Sequence, residues 1–322
     1  MNREYNLIID RQVVTGAQGN FDVLNPATEQ PVAQCPKASV EQLDQAVAAA
    51  QSAFQQWKHS SHPERQQLLN AIADQLERRA EELAQIIVQE QGKPLFLANA
   101  EVGGAIAWTR ATAALEIPME VIEDSDSKRI EMHRKPLGVV GSITPWNWPI
   151  NQITCKVAPA IATGCTMLLK PSEIAPFSAY LFSQVMDEAG VPNGVFNMIN
   201  GDGPTVGTAM AEHPDVDMVS FTGSTRAGIL VAKAAANTVK RVAQELGGKS
   251  ANIILDDVDL EAAITGGVQA CMHNTGQSCN APTRMLIPES LYEQAVSLAA
   301  RVADDIKVGD LEDENTFIGP VI

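Results

Sequence analysis

The chain has 322 residues, 45% hydrophobic and 19% charged, with a formal net charge of −16. That length exceeds one small core and implies about two domains, and the acidic balance argues against a nucleic-acid partner, whose phosphates need a basic face. No apolar run reaches the ~18 residues that span a bilayer, and the opening MNREYNLIID lacks the basic-then-apolar pattern of a signal peptide, so a cytoplasmic protein with no membrane partner is expected.

The first third reads as helical. Ser39 and Gln42 form a capping box ahead of Leu43, Ala46, Val47, Ala50, Phe54 and Trp57 at helical spacing. A second helix is expected from about Pro63 to Gln91, with Leu69, Ile72, Leu76, Leu83 and Ile87 on one face and Gly92 and Pro94 as its stop. The polar, alternating stretch 123–136 suits an exposed hairpin. From 137 the rhythm changes: LGVVGSI 137–143, TMLLK 166–170, VFNMI 195–199, DMVSF 217–221 and RVAQEL 241–246 read as strands with helical stretches between them. Such alternation predicts an α/β fold with a doubly wound parallel sheet, whose ligands sit at the carboxyl ends of the strands. A second alternating region follows: strand 251–255, helix from Asp259 to about Met272, strand 284–288 and helix from Glu289 to Ile306.

The strand ends carry the chemistry. TPWNWP follows the first strand, KPSE the second, TGST the fourth and ELGGK the fifth; four such features on one edge point to a site. Gly223 admits close backbone approach, and Ser224 opens a helix whose free N–H groups favour a phosphate; taken alone, the stretch reads more readily as an ordinary helix N-cap. The G-x-G-x-x-G fingerprint is absent. Lys170 can donate to ribose or phosphate oxygens and Glu173 can accept from ribose hydroxyls while repelling a 2′-phosphate, favouring NAD over NADP; without the other motifs they would be a solvated charge pair. Glu245 is placed to act as a general base if partial burial raises its pKa. Asn147 can donate to an oxyanion together with the Cys279 backbone N–H, and Cys279, in NTGQSCNAPTR, is the nucleophile candidate. Cys35, Cys155, Cys165 and Cys271 are expected to be packed. Cys271, His273 and Cys279 lack a second close pair to complete a metal site, so none is expected.

TPWNWP, KPSE, FTGST, ELGGKS and NTGQSC occur in the order and spacing of the aldehyde dehydrogenase superfamily, which the sequence resembles from NPATEQPVA at 25–33 onward. The resemblance implies Cys279 as nucleophile, Glu245 as base and Asn147 as oxyanion donor. It implies cofactor contacts at Thr144, Pro145, Trp146, Lys170, Ser172, Glu173, Gly203, Gly207, Phe221, Gly223, Ser224 and Leu246. The activity implied is oxidation of an aldehyde to a carboxylic acid with NAD, by way of a thiohemiacetal and a thioester. It also implies an NAD-binding domain from 1–117 and 137–246, an oligomerisation hairpin at 118–136, and a catalytic domain from 247 to 322. That last domain is expected to be incomplete, because family members continue past GPVI into an E-x-F-G-P motif and a C-terminal strand used in homo-oligomers. A non-catalytic remnant that binds nucleotide or a partner chain, and a cysteine-dependent esterase, are the competing readings. Trp148, Gln152 and Cys155 are expected on one helical face toward the aldehyde, with Ser278 and Asn280 beside the nucleophile. No arginine cluster is present there, which favours uncharged or weakly polar aldehydes.

Overall fold

The structure is a computed structural model and describes residues 4–322. It begins with two antiparallel pairs, β1 (Leu7–Ile9) with β2 (Gln12–Val14) and β3 (Asn20–Leu24) with β4 (Pro31–Pro36). The helical reading of the first third missed all four. β1 and β2, three residues each, carry too few alternations to register as a period-2 pattern, whereas β3 does alternate Phe21 and Val23 with Asn20 and Asp22, a signal the helical reading passed over.

Ser39 caps α1 (Val40–Trp57) with the full capping box. The expected single helix over 63–91 is two, α2 (His62–Arg78) and α3 (Ala80–Gln91). They part at Arg79 (φ −106°, ψ 14°), whose guanidinium bonds Glu82 nearby and Gln184 and Glu188 far along the chain. Gly92 ends α3 in the left-handed region, φ +81°. Then come α4 (Leu95–Ala113) and the exposed hairpin β5 (Glu120–Ser125) and β6 (Lys128–Met132).

The alternating region follows as β7 (Val139–Ile143), α5 (Pro149–Ala162), β8 (Thr166–Lys170), α6 (Phe177–Glu188), β9 (Phe196–Met198), α7 (Thr208–Glu212), β10 (Met218–Thr222), α8 (Thr225–Ala236) and β11 (Arg241–Glu245). The sheet order is β11-β10-β7-β8-β9-β1-β2, parallel from β11 to β9. The chain winds outward from β7 in one direction, then returns to add β10 and β11 on the other side. The switch point lies between β7 and β10. Both faces are covered, as β8 shows residue by residue: Met167 and Leu169 pack with Leu69, Ile153 and Phe182, while Leu168 packs with Leu43, Val47 and Met210.

A separate two-stranded parallel sheet, β12 (Ala251–Ile253) and β13 (Arg284–Leu286), carries α9 (Leu260–Met272) and α10 (Tyr292–Asp305). A short 3-10 turn over Glu289–Leu291 precedes α10 where one longer helix was expected. The last residues fold back: Ile322 N–H donates to Gln277 Oε1 (3.0 Å), and Leu95 N–H donates to Leu311 O (2.9 Å). Among the described residues, no helix is long and apolar enough to cross a membrane.

Candidate active site

The register of the large sheet sets four loop starts in a row. Ile143 pairs with Lys170 on one side and Phe221 on the other, and Thr222 pairs with Glu245. Across three strand spacings, Lys170 and Glu245 bound an edge roughly 14 Å long.

At one end Lys170 is buried and donates to Pro171 O (3.0 Å), with Glu173 Oε2 at 3.4 Å. Burial lowers the Lys170 pKa, while the charges of Glu173 and Asp202 oppose that. The Glu173 side chain is half exposed and reachable by a ligand. Ser172 turns the loop by accepting from Ile174 N–H (3.2 Å). A Cβ on Gly207 would lie in ordinary contact with Ile143 and Lys170, 3.8 Å away, and one on Gly203 would meet nothing within 4 Å.

At the switch point the hydroxyls of Thr144 and Thr222 are buried without a partner in the protein. Such groups are uncommon, and a polar ligand reaching the loop that runs on through Pro145 and Trp146 would satisfy them. Gly223 has no room for a side chain, because a Cβ there would stand 2.6 Å from the Phe221 ring. Ser224 is the N-cap of α8, accepting from Ala227 N–H (3.2 Å). Capping takes one orphan N–H and leaves others of that first turn for an anion. Leu246 lies against α8 over Gly228, where a Cβ would meet it at 2.7 Å. This set of donors, a buried ammonium and a half-exposed carboxylate fits a dinucleotide.

At the other end Glu245 closes β11. It is exposed, contrary to the partial burial its reading as a base invoked. β11 is the edge strand of its sheet, so one flank lies open. Below it Lys156 of α5 donates to Ser220 Oγ (2.9 Å), and burial pushes its pKa down to about 8 against the pull of the Glu245 charge. Sequence reasoning passed over Lys156, although it is the sole charged residue in α5.

The loop after Glu245 meets the loop that carries Cys279: a Cβ on Gly248 would lie 2.9 Å from Cys279 O. Cys279 is half-buried. Its loop is held in an uncommon conformation, with Asn274 at φ 54° and Thr275 at φ 59°. A β-branched residue there is costly, on the order of 1–3 kcal/mol. Asn274 is fully buried, and its Nδ2 donates to Asn147 O (2.8 Å). Asn147 answers across the sequence: its Nδ2 donates to Gln277 O (2.8 Å). An amide nitrogen carries two N–H groups, so one remains for an incoming oxygen. Trp148 Nε1–H donates to Ser278 Oγ (2.8 Å).

Trp148 is the N-cap of α5, outside the helix, so of the three residues expected on one helical face only Gln152 and Cys155 lie in it. Cys35 and Cys165 are buried as expected, but Cys155 and Cys271 are only half-buried. Cys155 lies midway along α5, and what burial it has raises its thiol pKa. Among the described residues no group of three or more His, Cys, Asp or Glu gathers to hold a metal. Sequence reasoning also missed Lys93, Glu101 and Asn274. The signals were present: Lys93 stands between the breakers Gly92 and Pro94, and Glu101 is the sole charge in the first fifteen residues of α4.

A doubly wound parallel sheet with a thiol and an amide on loops and a carboxylate on a strand end at its carboxyl edge defines a class of nucleotide-cleft α/β proteins. Within that class, the aldehyde dehydrogenase family profile matches residues 13–322, and the chain belongs to that family. It is 51% identical over 300 residues to 3-succinoylsemialdehyde-pyridine dehydrogenase of a Pseudomonas species, covering 93% of this chain and 63% of that protein. It is 39% identical over 316 residues to a putative aldehyde dehydrogenase of Staphylococcus epidermidis, covering 98% and 66%. The structure of aldehyde dehydrogenase C from Pseudomonas syringae with NAD+ and octanal matches with a TM-score of 0.94 at 47% identity, covering 98% of this chain and 65% of that one. The NAD+ complex of a Bacillus cereus aldehyde dehydrogenase gives 0.96 at 38%, covering 99% and 66%. The chain thus spans about two thirds of these relatives' length.

Proposed function

We propose that this chain carries the nucleophile, base, oxyanion donor and NAD site of an enzyme that oxidises an aldehyde to a carboxylic acid. The observation that carries the reading is the Asn147 amide bonded to Gln277 O, two residues before Cys279. That contact ties the Asn147 amide to the loop that carries the half-buried Cys279 thiol, which supports the reading.

In this reading the Cys279 thiolate adds to the aldehyde carbon, and the free Asn147 N–H and the Cys279 backbone N–H take the charge on oxygen. Bound NAD supplies the acceptor for the hydride that must leave that carbon before a thioester can exist. Lys170 and Glu173 hold a ribose, and the first turn of α8 meets a pyrophosphate. Glu245 then takes a proton from water, which attacks the thioester carbon; the C–S bond breaks, and carboxylate and thiol are released. Exposure leaves Glu245 open to water.

The domain division belongs to the same proposal: 1–117 with 137–246 for NAD, 118–136 for contacts between subunits, 247–322 for catalysis. An uncharged or weakly polar aldehyde is the substrate favoured, because no arginine cluster stands among Trp148, Gln152 and Cys155, which the family resemblance turns toward the aldehyde, or among Ser278 and Asn280, the chain neighbours of Cys279. The octanal bound in the Pseudomonas syringae relative supports that class. The test is NADH formation at 340 nm with a panel of aldehydes, run with NAD and NADP. The reading expects turnover that Cys279→Ser abolishes, and an NAD preference that Glu173→Gln relaxes. Ester cleavage at Cys279 with no NADH from any aldehyde would favour the hydrolase instead.

A further inference from the structure

The turn between α3 and α4 buries an ion pair that the chemistry above does not use. Lys93 and Glu101 have no exposed side-chain surface, and Lys93 Nζ lies 2.5 Å from Glu101 Oε2. The same ammonium donates to Asn147 O (3.0 Å) and stands 3.8 Å from the centroid of the Trp148 ring. Glu101 uses its other oxygen to accept from Asn151 N–H (3.1 Å) in the first turn of α5. The pair therefore grips Asn147, Trp148 and the start of α5 at once.

Those two contacts of the ammonium are the residues that reach the nucleophile loop. Asn147 donates to Gln277 O and Trp148 to Ser278 Oγ, the two positions directly before Cys279. Asn274 donates to the carbonyl that Lys93 also bonds, closing the network from the other side. Stability does not call for charges here, because apolar residues in place of a buried ion pair are often neutral or stabilising. What an ammonium adds, and a methyl group cannot, is a directed bond to Asn147 O and an attraction to the Trp148 face.

We propose that Lys93, with Glu101 as counter-ion, is a positioning residue for the oxyanion donor: it fixes the Asn147 peptide so that one amide N–H stays on Gln277 and the other is presented to the carbonyl oxygen attacked by Cys279. The inference rests on the roles given above to Cys279 and Asn147. It assigns Lys93 no contact with substrate.

The test compares two reagents on the whole 322-residue chain. With 4-nitrophenyl acetate, the Cys279 sulfur bonds to the acetyl carbon, charge builds on the carbonyl oxygen, and the C–O bond breaks to release 4-nitrophenolate. With iodoacetamide the sulfur displaces iodide and no oxyanion forms. Lys93→Met, and the pair Lys93→Met with Glu101→Leu that strands no charge, should slow acylation at least ~10-fold, short of the ~100-fold or more that loss of a donor costs. Alkylation of Cys279, followed by peptide mapping, should stay within about twofold of wild type, since that step has no oxyanion to stabilise. In an Asn147→Ala background the paired substitution should add nothing, because coupled residues fail to add. Wild-type acylation rates in the paired variant, equal slowing with both reagents, or full additivity with Asn147→Ala would each overturn the inference alone. Nitrophenolate release that persists in Cys279→Ser would instead sink the reading of the site, and the inference with it.

Discussion

Glu90 is a carboxylate without solvent, 0% exposed, that accepts from Phe177 N–H (2.5 Å) and Ser178 N–H (3.0 Å) at the start of α6. It caps a helix from the end of another helix 87 residues earlier. Burial lifts its pKa from 4.5 to about 7, against the backbone hydrogen bonds that favour the charged form. Between those values the folded state holds a proton that the unfolded state has released, so its contribution to stability falls as pH rises through that window. Glu90→Gln keeps the shape but sets an NH2 against a backbone N–H, costing about 1–3 kcal/mol. Urea unfolding should show that gap at pH 5 and show it narrowing toward pH 8, since only wild type ionises. Equal stability at pH 5, or a gap that widens with pH, would refute this. Residues of this kind explain what the sequence left hidden. Cys279, Asn147 and Glu245 stand in short local motifs, whereas Lys93 and Asn274 take their meaning from Asn147, 54 and 127 positions away.

Elements were legible in proportion to how locally they are determined. β7 and β8 are buried at every position, and their Val139, Val140, Ile143, Met167, Leu168 and Leu169 make them read as mainly apolar runs. The capping box of α1 is spelled in four residues. By contrast, the apolar spacing of 63–91 continues through Arg79, and only its bonds to α6 mark the break. The end of α3 shows how one element boundary supports the site. Gly92 holds φ +81°, directly before Lys93, and a Cβ there would lie 3.0 Å from Pro320 and 3.1 Å from Pro26. Gly190, after α6, has φ +80° with nothing within 4 Å. Alanine at Gly190 should cost only the left-handed penalty, roughly 1–2 kcal/mol. Alanine at Gly92 should cost about 1–3 kcal/mol more, as an overpacked site does. Paired urea midpoints measure the difference, and equal losses would show that the contacts to Pro26 and Pro320 yield freely.

On the scale of the molecule, the two sheets are unequally protected. The central strands β7, β8 and β9 of the seven-stranded sheet are packed on both faces, and Met167, Leu168, Leu169 and Met198 have no exposure at all. Around β12 and β13 the buried apolar set is Ile254, Ile264, Val268 and Ala295, and α10 contributes only Ala295 to it. Ile253 is 65% exposed and Leu255 60%. At about 25 cal/mol per Å² of apolar surface buried, so small a set leaves little to oppose the chain entropy of ordering some seventy residues. Local opening free energies follow such differences in buried contact. Amide hydrogen exchange should therefore be fast in β12, β13 and α10 and slow in β7, β8 and β9, with the Cys279 loop between, tied to the slow region through Asn147 and to the fast one through Gly248. If NAD binds at the switch point it should slow exchange in β10 and α8 before it affects β13, because mass action stabilises first what the ligand touches. Uniform protection across both sheets would show that the small sheet shares the stability of the large one, and this account of the fold would fail.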